Sequence, residues 1–138
     1  MKVKSGFSLI EIMIAVVIIG IMATIGISAI SGYRARASKT ATVSMLTSLK
    51  NAVQMYYSDT GKYPQSLDEL VDKPDGDDPL AKRWEGPYIE AKGGGVPVDG
   101  WNNEFQYERT PGGAHPFDLY SFGPEGEDAP EDERLSAW

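Results

Sequence analysis

The sequence predicts an α+β protein in which one long N-terminal helix packs on a small antiparallel sheet. Three observations predict this class. Residues 12–33 carry no charged side chain, a helical pattern of apolar residues continues beyond that run, and residues after 100 alternate between apolar and polar with period two. The 138 residues suit one small globular domain in addition to the apolar segment.

The apolar run near the N-terminus is long enough to cross a bilayer. Residues 12–30 are uncharged and would span about 28 Å as a helix. A secretory signal peptide fits poorly, because its apolar region usually has about 7–15 residues and because no A-x-A site follows. Lys2 and Lys4 favour a signal anchor whose basic end stays inside. An anchor does not explain Glu11, since an acid in such a segment costs roughly 2.5–3.5 kcal/mol.

Beyond the apolar run, apolar residues recur at steps of three and four, which predicts that the helix continues with one face on the body of the protein. We predict one helix from about Ser8 to Asp59, ended by Gly61. The residues predicted to face the body are Val43, Leu46, Leu49, Val53, and Tyr56 or Tyr57.

The second half of the sequence predicts short elements. Ser66 and Glu69 have the spacing of a capping box and predict a short helix through Val71. Residues 72–79 are loop by composition. Two runs with period-two alternation, joined by the turn-rich residues 110–116, predict an antiparallel pair packed on the long helix. The predicted inward side chains are Phe105, Tyr107, Phe117, Leu119 and Ser121.

The charge distribution excludes several function classes. Residues 1–62 carry a net charge of +5, whereas residues 63–138 carry −12, and such an acidic body argues against nucleic acid as a partner. The chain has no Cys, which excludes disulfides, thiolate zinc sites and a Cys nucleophile. His115 is the single His and lies in a turn, so a His-based triad is implausible. A membrane-anchored periplasmic enzyme with a carboxylate pair remains the least favoured hypothesis.

The acidic tail forms a further candidate site. Six acids lie between Glu125 and Glu133, and crowded like charges repel. Taken by itself, this pattern fits either a solvated, disordered tail or a loop closed around a cation. Calcium is the hard cation that oxygen-only loops select.

The residues Lys4-Ser5-Gly6-Phe7-Ser8-Leu9-Ile10-Glu11 resemble the processing motif of type IV prepilins and pseudopilins. The resemblance implies that a membrane prepilin peptidase cuts between Gly6 and Phe7 and then N-methylates Phe7. It also implies that Glu11 meets the N-terminal amine of a neighbouring subunit during assembly. Physical chemistry agrees, because a carboxylate buried among apolar groups needs a counter-charge.

One departure from the family pattern concerns the middle of the helix. Relatives often have Pro where this chain has Ser28, and that Pro breaks the helix in the assembled filament. Gly20, Gly26 and Gly32 each lower helix propensity by roughly 1 kcal/mol. Local melting and an unbroken helix therefore both remain open.

A second resemblance covers most of the remaining chain. Four further segments carry it: W-E-G-P-Y at 84–88, D-G-W at 99–101, F-Q-Y at 105–107 and F-D-L-Y-S-F-G-P-E-G at 117–126. Together they resemble the major pseudopilin family of type II secretion systems. In that family the C-terminal loop wraps a structural calcium ion. The resemblance implies Glu125, Asp132 and the Phe122 carbonyl as ligands, with the Pro130 carbonyl as a further ligand or Asp128 as the competing carboxylate.

The resemblance implies a type IV pilin-like fold with a C-terminal calcium-type loop. It divides the chain into a removed leader (1–6), a transmembrane and filament-core half of the helix (7–33) and a periplasmic globular domain (34–138). The expected function is that of a structural, non-enzymatic subunit of the type II secretion pseudopilus, a homopolymer that drives protein export across the outer membrane. A type IV pilus subunit is the alternative.

The location that the resemblance implies is the bacterial inner membrane, crossed once, with the C-terminal domain in the periplasm. The expected partners are further copies of the chain, minor pseudopilins, the inner-membrane assembly platform, the prepilin peptidase and membrane lipid. No nucleic acid is expected.

Overall fold

The computed structural model of the protein describes residues 6–74, 79–90 and 93–138, without the side chains of residues 25–29. Residues 1–5 of the predicted leader and 75–78 of the predicted loop therefore lie outside the described residues. The elements are helix α1, three short 3-10 helices and a sheet of strands β1 to β3. Their bounds are α1 Leu9–Thr60, 3-10 helices Leu67–Leu70, Gly123–Asp128 and Glu131–Glu133, and strands β1 Gln106–Arg109, β2 Phe117–Ser121 and β3 Leu135–Ser136. This composition confirms the predicted α+β class.

The chain divides into two compact units, which meet in sequence between Arg36 and Ala37. In the first unit, α1 exposes its large apolar side chains on all sides, from Leu9 at 81% to Met22 at 68%. The backbone of α1 runs without a break through residue 28. Among the described residues, no helical segment meets the length and apolarity required of a membrane span.

In the second unit, the remainder of α1 supplies one wall of the hydrophobic core. Four of the predicted residues are buried as expected: Leu46, Leu49, Val53 and Tyr56. The prediction for Val43 is wrong, because its side chain is 47% exposed whereas its neighbour Thr42 is fully buried. Thr42 takes the inward position because its hydroxyl is satisfied within the helix, donating to the Ser38 carbonyl at 2.8 Å.

The end of α1 follows the prediction. Gly61 adopts a left-handed conformation with φ +78 and donates its N–H to the Tyr57 carbonyl at 2.8 Å. A side chain at this backbone conformation would be strained, so Gly is the residue that ends the helix most readily.

The sheet has the order β1-β2-β3, and both pairs are antiparallel. The pairing of β1 with β2 confirms the predicted antiparallel pair, and in its register Tyr107 lies opposite Leu119. Tyr120 pairs with Ser136 of β3. The sequence does not predict β3, because only two residues form it and they follow the acidic tail. The fully buried face of β2 meets α1 in one core, whose buried members are Leu46, Leu49, Ala52, Val53, Tyr56, Leu67, Leu70, Phe105, Phe117 and Leu119.

The short helix after α1 is a 3-10 helix, and its predicted capping box does not form. The Ser66 hydroxyl donates to the Asp68 carboxylate at 3.3 Å instead. The Glu69 carboxylate accepts from the buried Tyr56 hydroxyl at 2.6 Å. A buried phenol needs a partner, and meeting that need turns Glu69 toward the core and away from its own helix start.

Candidate functional site

The N-terminal motif lies in an exposed segment ahead of the helix. Gly6, Phe7 and Ser8 have no regular secondary structure, and Phe7 is 85% exposed. The predicted scissile bond between Gly6 and Phe7 is thus outside α1, where its carbonyl and N–H take no part in the helical ladder. Such a bond is open to attack by a peptidase without prior melting of the helix.

Glu11 lies in the first turn of α1 and accepts a hydrogen bond from the backbone N–H of Ser8 at 3.0 Å. This is the carboxylate half of a capping box, which satisfies one of the unpaired N–H groups at a helix start. The carboxylate also lies at the end of the helix dipole that favours negative charge. Ser8 and Glu11 have the S-x-x-E spacing that signals this role, which is not among the predictions made from the sequence.

The acidic C-terminal segment forms an ordered loop between β2 and β3. Two 3-10 turns follow each other, with a kink at Gly126, where φ is +68. Ala129 is buried and fixes the middle of the loop to the body. All six acids of the segment are exposed: Glu125, Glu127, Asp128, Glu131, Asp132 and Glu133.

Arg134 supplies positive charge to this loop. Its Nε donates to the Ala129 carbonyl at 3.4 Å, and its Nη1 lies 3.9 Å from the Glu131 carboxylate. The guanidinium carbon lies 5.4 Å from the ring centroids of both Tyr120 and Phe122. An exposed ion pair of this kind contributes little energy by itself, but the set of contacts ties the loop to β2. This role of Arg134 is not among the predictions made from the sequence.

The predicted calcium ligands have the right chemistry, but a cluster of carboxylates does not form. Glu125 and Asp132 offer exposed carboxylates, and the backbone of the loop offers carbonyls, a set of hard oxygen donors that suits calcium. The Pro130 carbonyl already accepts the N–H of Glu133 at 3.1 Å. In the part of the chain that the structure describes, no three acidic, His or Cys side chains converge on one point. A cation here would therefore depend on two carboxylates and on carbonyl oxygens.

His115 takes part in a packing arrangement. Its ring stacks on the indole of Trp138, with centroids 4.0 Å apart and planes 6° apart. The Lys50 ammonium lies 3.5 Å from the centre of the same indole ring and donates to the Ala137 carbonyl at 3.1 Å. The Trp138 indole N–H donates to the Phe117 carbonyl at 3.0 Å. This cluster fastens the end of the chain to α1 and β2.

Two tyrosines of the body have perturbed acidity. Burial raises the pKa of Tyr107, whose hydroxyl donates to the Pro64 carbonyl at 2.9 Å. Burial also raises the pKa of Tyr88. The Glu85 backbone N–H, which donates to this hydroxyl at 3.1 Å, acts against the rise, and the carboxylates of Asp59 and Glu85 add to it. Both phenols stay protonated well above neutral pH, so neither supplies a base for catalysis.

Comparison with known proteins finds matches for both halves of the chain. Residues 29–138 match the family described as type II secretion system (T2SS), protein G, and residues 1–27 match the prokaryotic N-terminal methylation motif. The type II secretion system core protein G of Pseudomonas aeruginosa is 39% identical over 132 residues, which cover 94% of this chain and 89% of that protein. The protein of the same name from Vibrio cholerae is 35% identical over 134 residues, covering 95% of this chain and 88% of that protein.

A solved structure agrees with the sequence comparison. The crystal structure of the major pseudopilin from the type 2 secretion system of enterohaemorrhagic Escherichia coli is 28% identical and superposes with a TM-score of 0.59. The match covers 77% of this chain and 90% of that one. The helix, the three-stranded antiparallel sheet and the motif ahead of them are therefore those of a known family, and the chain belongs to the type II secretion system protein G family, the major pseudopilins.

Proposed function

We propose that this chain is a structural subunit of the type II secretion pseudopilus, which polymerises through its N-terminal helix and drives protein export across the outer membrane. The observation that carries the proposal is similarity along nearly the whole chain, with both the methylation motif and the globular domain matched. No contact among the described residues favours a type IV pilus subunit, and the similar proteins are named type II secretion system core protein G.

The exposed apolar surface of α1 supports this role. Phe7 and the large apolar residues from Leu9 to Met22 are between 51% and 85% exposed. A helix that is apolar on all sides is stable when lipid or other helices cover it. We propose that the inner membrane covers this segment before assembly and that neighbouring subunits cover it in the filament, with the globular domain in the periplasm.

Processing precedes assembly in this proposal. The prepilin peptidase cuts the exposed bond between Gly6 and Phe7 and methylates Phe7, and the new amine lies four residues from Glu11. Before the cut, Glu11 bonds to the Ser8 N–H of its own chain. In the filament the carboxylate pairs with the Phe7 amine of a neighbour. Minor pseudopilins and the inner-membrane assembly platform are the further proposed partners.

Calcium is the proposed structural cofactor of the C-terminal loop. Glu125 and Asp132 would hold it through carboxylates, and Phe122 and Pro130 through backbone carbonyls, with Asp128 as the competing carboxylate. The ion would offset the repulsion among six acids and restrain the loop against β2. Arg134 supplies part of that compensation from within the chain.

The test of the proposed function is processing and assembly in a cell that expresses the prepilin peptidase and the secretion apparatus. The wild-type protein should lose the mass of residues 1–6 and gain one methyl group on Phe7. Gly6→Val should remain uncut because the larger side chain crowds the peptidase, whereas Gly6→Ala should still be cut. Normal processing of Gly6→Val would contradict the cleavage assignment.

Substitutions of Glu11 separate its role as a helix cap from its proposed role in pairing with the amine of a neighbouring subunit. Glu11→Ala should insert into the membrane, because a charge is removed from an apolar segment, yet it should not form filaments. Glu11→Gln retains an acceptor for the Ser8 N–H but lacks the charge, so it should fail in the same way. Filaments from Glu11→Gln would show that capping, and not pairing with an amine, is the role that assembly requires.

A further inference from the structure

A buried carboxylate closes the turn that precedes β1. Asp99 is 6% exposed. Its Oδ1 accepts the backbone N–H of Trp101 at 2.9 Å and that of Asn103 at 2.8 Å. Its own N–H donates to the Asn103 carbonyl at 2.9 Å. One carboxylate oxygen therefore suffices to hold the turn, and the side-chain oxygen of an Asn would hold it equally well.

The second oxygen of Asp99 acts outside the turn. Oδ2 accepts a short hydrogen bond, 2.5 Å, from the hydroxyl of Ser121, the last residue of β2, which is completely buried. The Ser121 Oγ in turn accepts the N–H of Gly123 at 2.9 Å. From the same turn, the Asn103 side-chain amide donates to the Gly123 carbonyl at 2.9 Å. The turn thus holds the residues on both sides of Phe122.

This arrangement requires a carboxylate at position 99. An Asn in its place has a single acceptor oxygen, so with that oxygen in the turn its amide N–H₂ faces the Ser121 hydroxyl, which then loses its acceptor. The need for a second acceptor oxygen arises from the contact with Ser121, since the turn itself needs one oxygen. A buried carboxylate is costly unless donors satisfy it, and here two backbone N–H groups and one hydroxyl do so.

We propose that Asp99 is a positioning residue for the C-terminal loop: through Ser121 and Gly123 it holds the Phe122 peptide in place and so sets the start of the cation site. The inference deepens the calcium assignment under the proposed function and rests on it. Gly123 has φ +75, a conformation that directs the chain out of β2 into the loop. Because the Phe122 peptide is already fixed, calcium binding is accompanied by a smaller loss of conformational entropy.

The experiment measures calcium affinity of the full chain in detergent by isothermal titration. Asp99→Asn should weaken calcium binding by about tenfold or more, the usual effect of removing a residue that orients a metal ligand. Ser121→Ala should weaken it similarly while leaving the turn's own bonds intact. Asp118→Asn is the matched control, since this exposed acid lies on the other face of β2. Tyr107→Phe controls for loss of stability away from the loop.

A second measurement does not depend on calcium. In chelator, hydrogen exchange of the peptide covering 121–134 should be faster in Asp99→Asn and Ser121→Ala than in wild type, Asp118→Asn and Tyr107→Phe. Unchanged calcium affinity in both variants would overturn the inference. If wild type binds no calcium, the calcium assignment fails, and exchange in chelator then decides whether Asp99 positions the loop. Should Asp99→Asn not fold, Ser121→Ala alone provides both measurements.

Discussion

Tyr107 is a residue whose burial sets its chemistry. Ionising this phenol costs free energy in the folded state, because the buried phenolate would lose its hydration. Burial therefore raises the pKa of Tyr107 above the ordinary value of 10.0. The nearby Arg109 acts in the opposite direction and does not cancel the effect of burial. The folded state therefore holds the phenolic proton more tightly than the unfolded state does. Stability is unaffected below the unfolded pKa near 10 and falls as the pH rises beyond it.

We expect the free energy of unfolding to decline above pH 10, and Tyr107→Phe to reduce that decline. At pH 7 the variant should be less stable by about 1–3 kcal/mol, because the Pro64 carbonyl loses its donor. Urea denaturation at several pH values measures both effects. Tyr33→Phe, at an exposed position, is the control and should change neither. A variant with the wild-type slope above pH 10 would contradict the assignment to Tyr107.

Gly100 shows how closely the turn after Asp99 approaches α1. A Cβ at this position would lie within 3 Å of the Ser38 backbone, and the Gly100 N–H donates to the Thr42 hydroxyl at 2.9 Å. Gly100→Ala should therefore destabilise the protein by about 1–3 kcal/mol through overpacking. Thermal melting measures the loss. Gly95→Ala, where a Cβ meets nothing, is the matched control, and equal melting of the two variants would refute the steric argument.

At the scale of elements, β3 is too short to be stable by pairing alone. Two residue pairs join it to β2, and the remaining contacts come from the chain after it. Ala137 donates its N–H to the Leu119 carbonyl at 2.9 Å and accepts from Lys50 of α1. The Trp138 indole lies between Lys50 and His115. Side chains from α1 and from the β1–β2 connection thus complete an edge strand that its own sequence does not specify.

We expect Lys50→Met to loosen β3 without unfolding the protein. The variant loses a hydrogen bond and a cation–π contact, together about 1 kcal/mol. Hydrogen exchange of the Ala137 amide should accelerate several-fold, whereas exchange of the Leu119 amide in β2 should not. Lys39→Met is the matched control on the same helix, at an exposed position. Unchanged exchange at Ala137 would mean that Lys50 does not hold the strand.

For the whole molecule, the uneven charge distribution predicts that divalent cations raise its stability. Residues 63–138 carry a net charge of −12, and the exposed acids of the C-terminal loop repel each other. A cation that binds the folded state alone stabilises it by about 2.7 kcal/mol at a hundredfold excess over Kd. Magnesium should stabilise less, because its octahedral shell suits a carbonyl-rich loop poorly.

We expect the full chain in detergent to melt several degrees higher in millimolar calcium than in chelator. Glu125→Ala and Asp132→Ala should each abolish this difference, whereas the control Asp75→Ala, in the acidic segment 72–79, should not. If Asp128→Ala abolishes it and Asp132→Ala does not, the loop binds calcium through the competing carboxylate. Equal melting of wild type in calcium and chelator would contradict calcium as the cofactor.

The sequence by itself determined the elements whose signals are local. Gly61 ends α1, the apolar spacing of α1 gives its buried face from Leu46 to Tyr56, and period-two alternation gives the antiparallel pair of β1 and β2. The N-terminal motif and the segments around Trp84 identified the family. Each of these signals depends on neighbours a few residues apart, so backbone geometry and periodicity suffice to interpret it.

The tertiary structure decided the features that depend on long-range partners. Glu69 leaves its predicted capping position because the buried Tyr56 hydroxyl needs an acceptor. Lys50 and Trp138 meet across the fold beside the β2–β3 pair, and Asp99 reaches Ser121 across 22 residues of chain. Buried polar groups must find partners wherever the fold places them. That requirement acts in space, and the spacing of residues along the chain does not encode it.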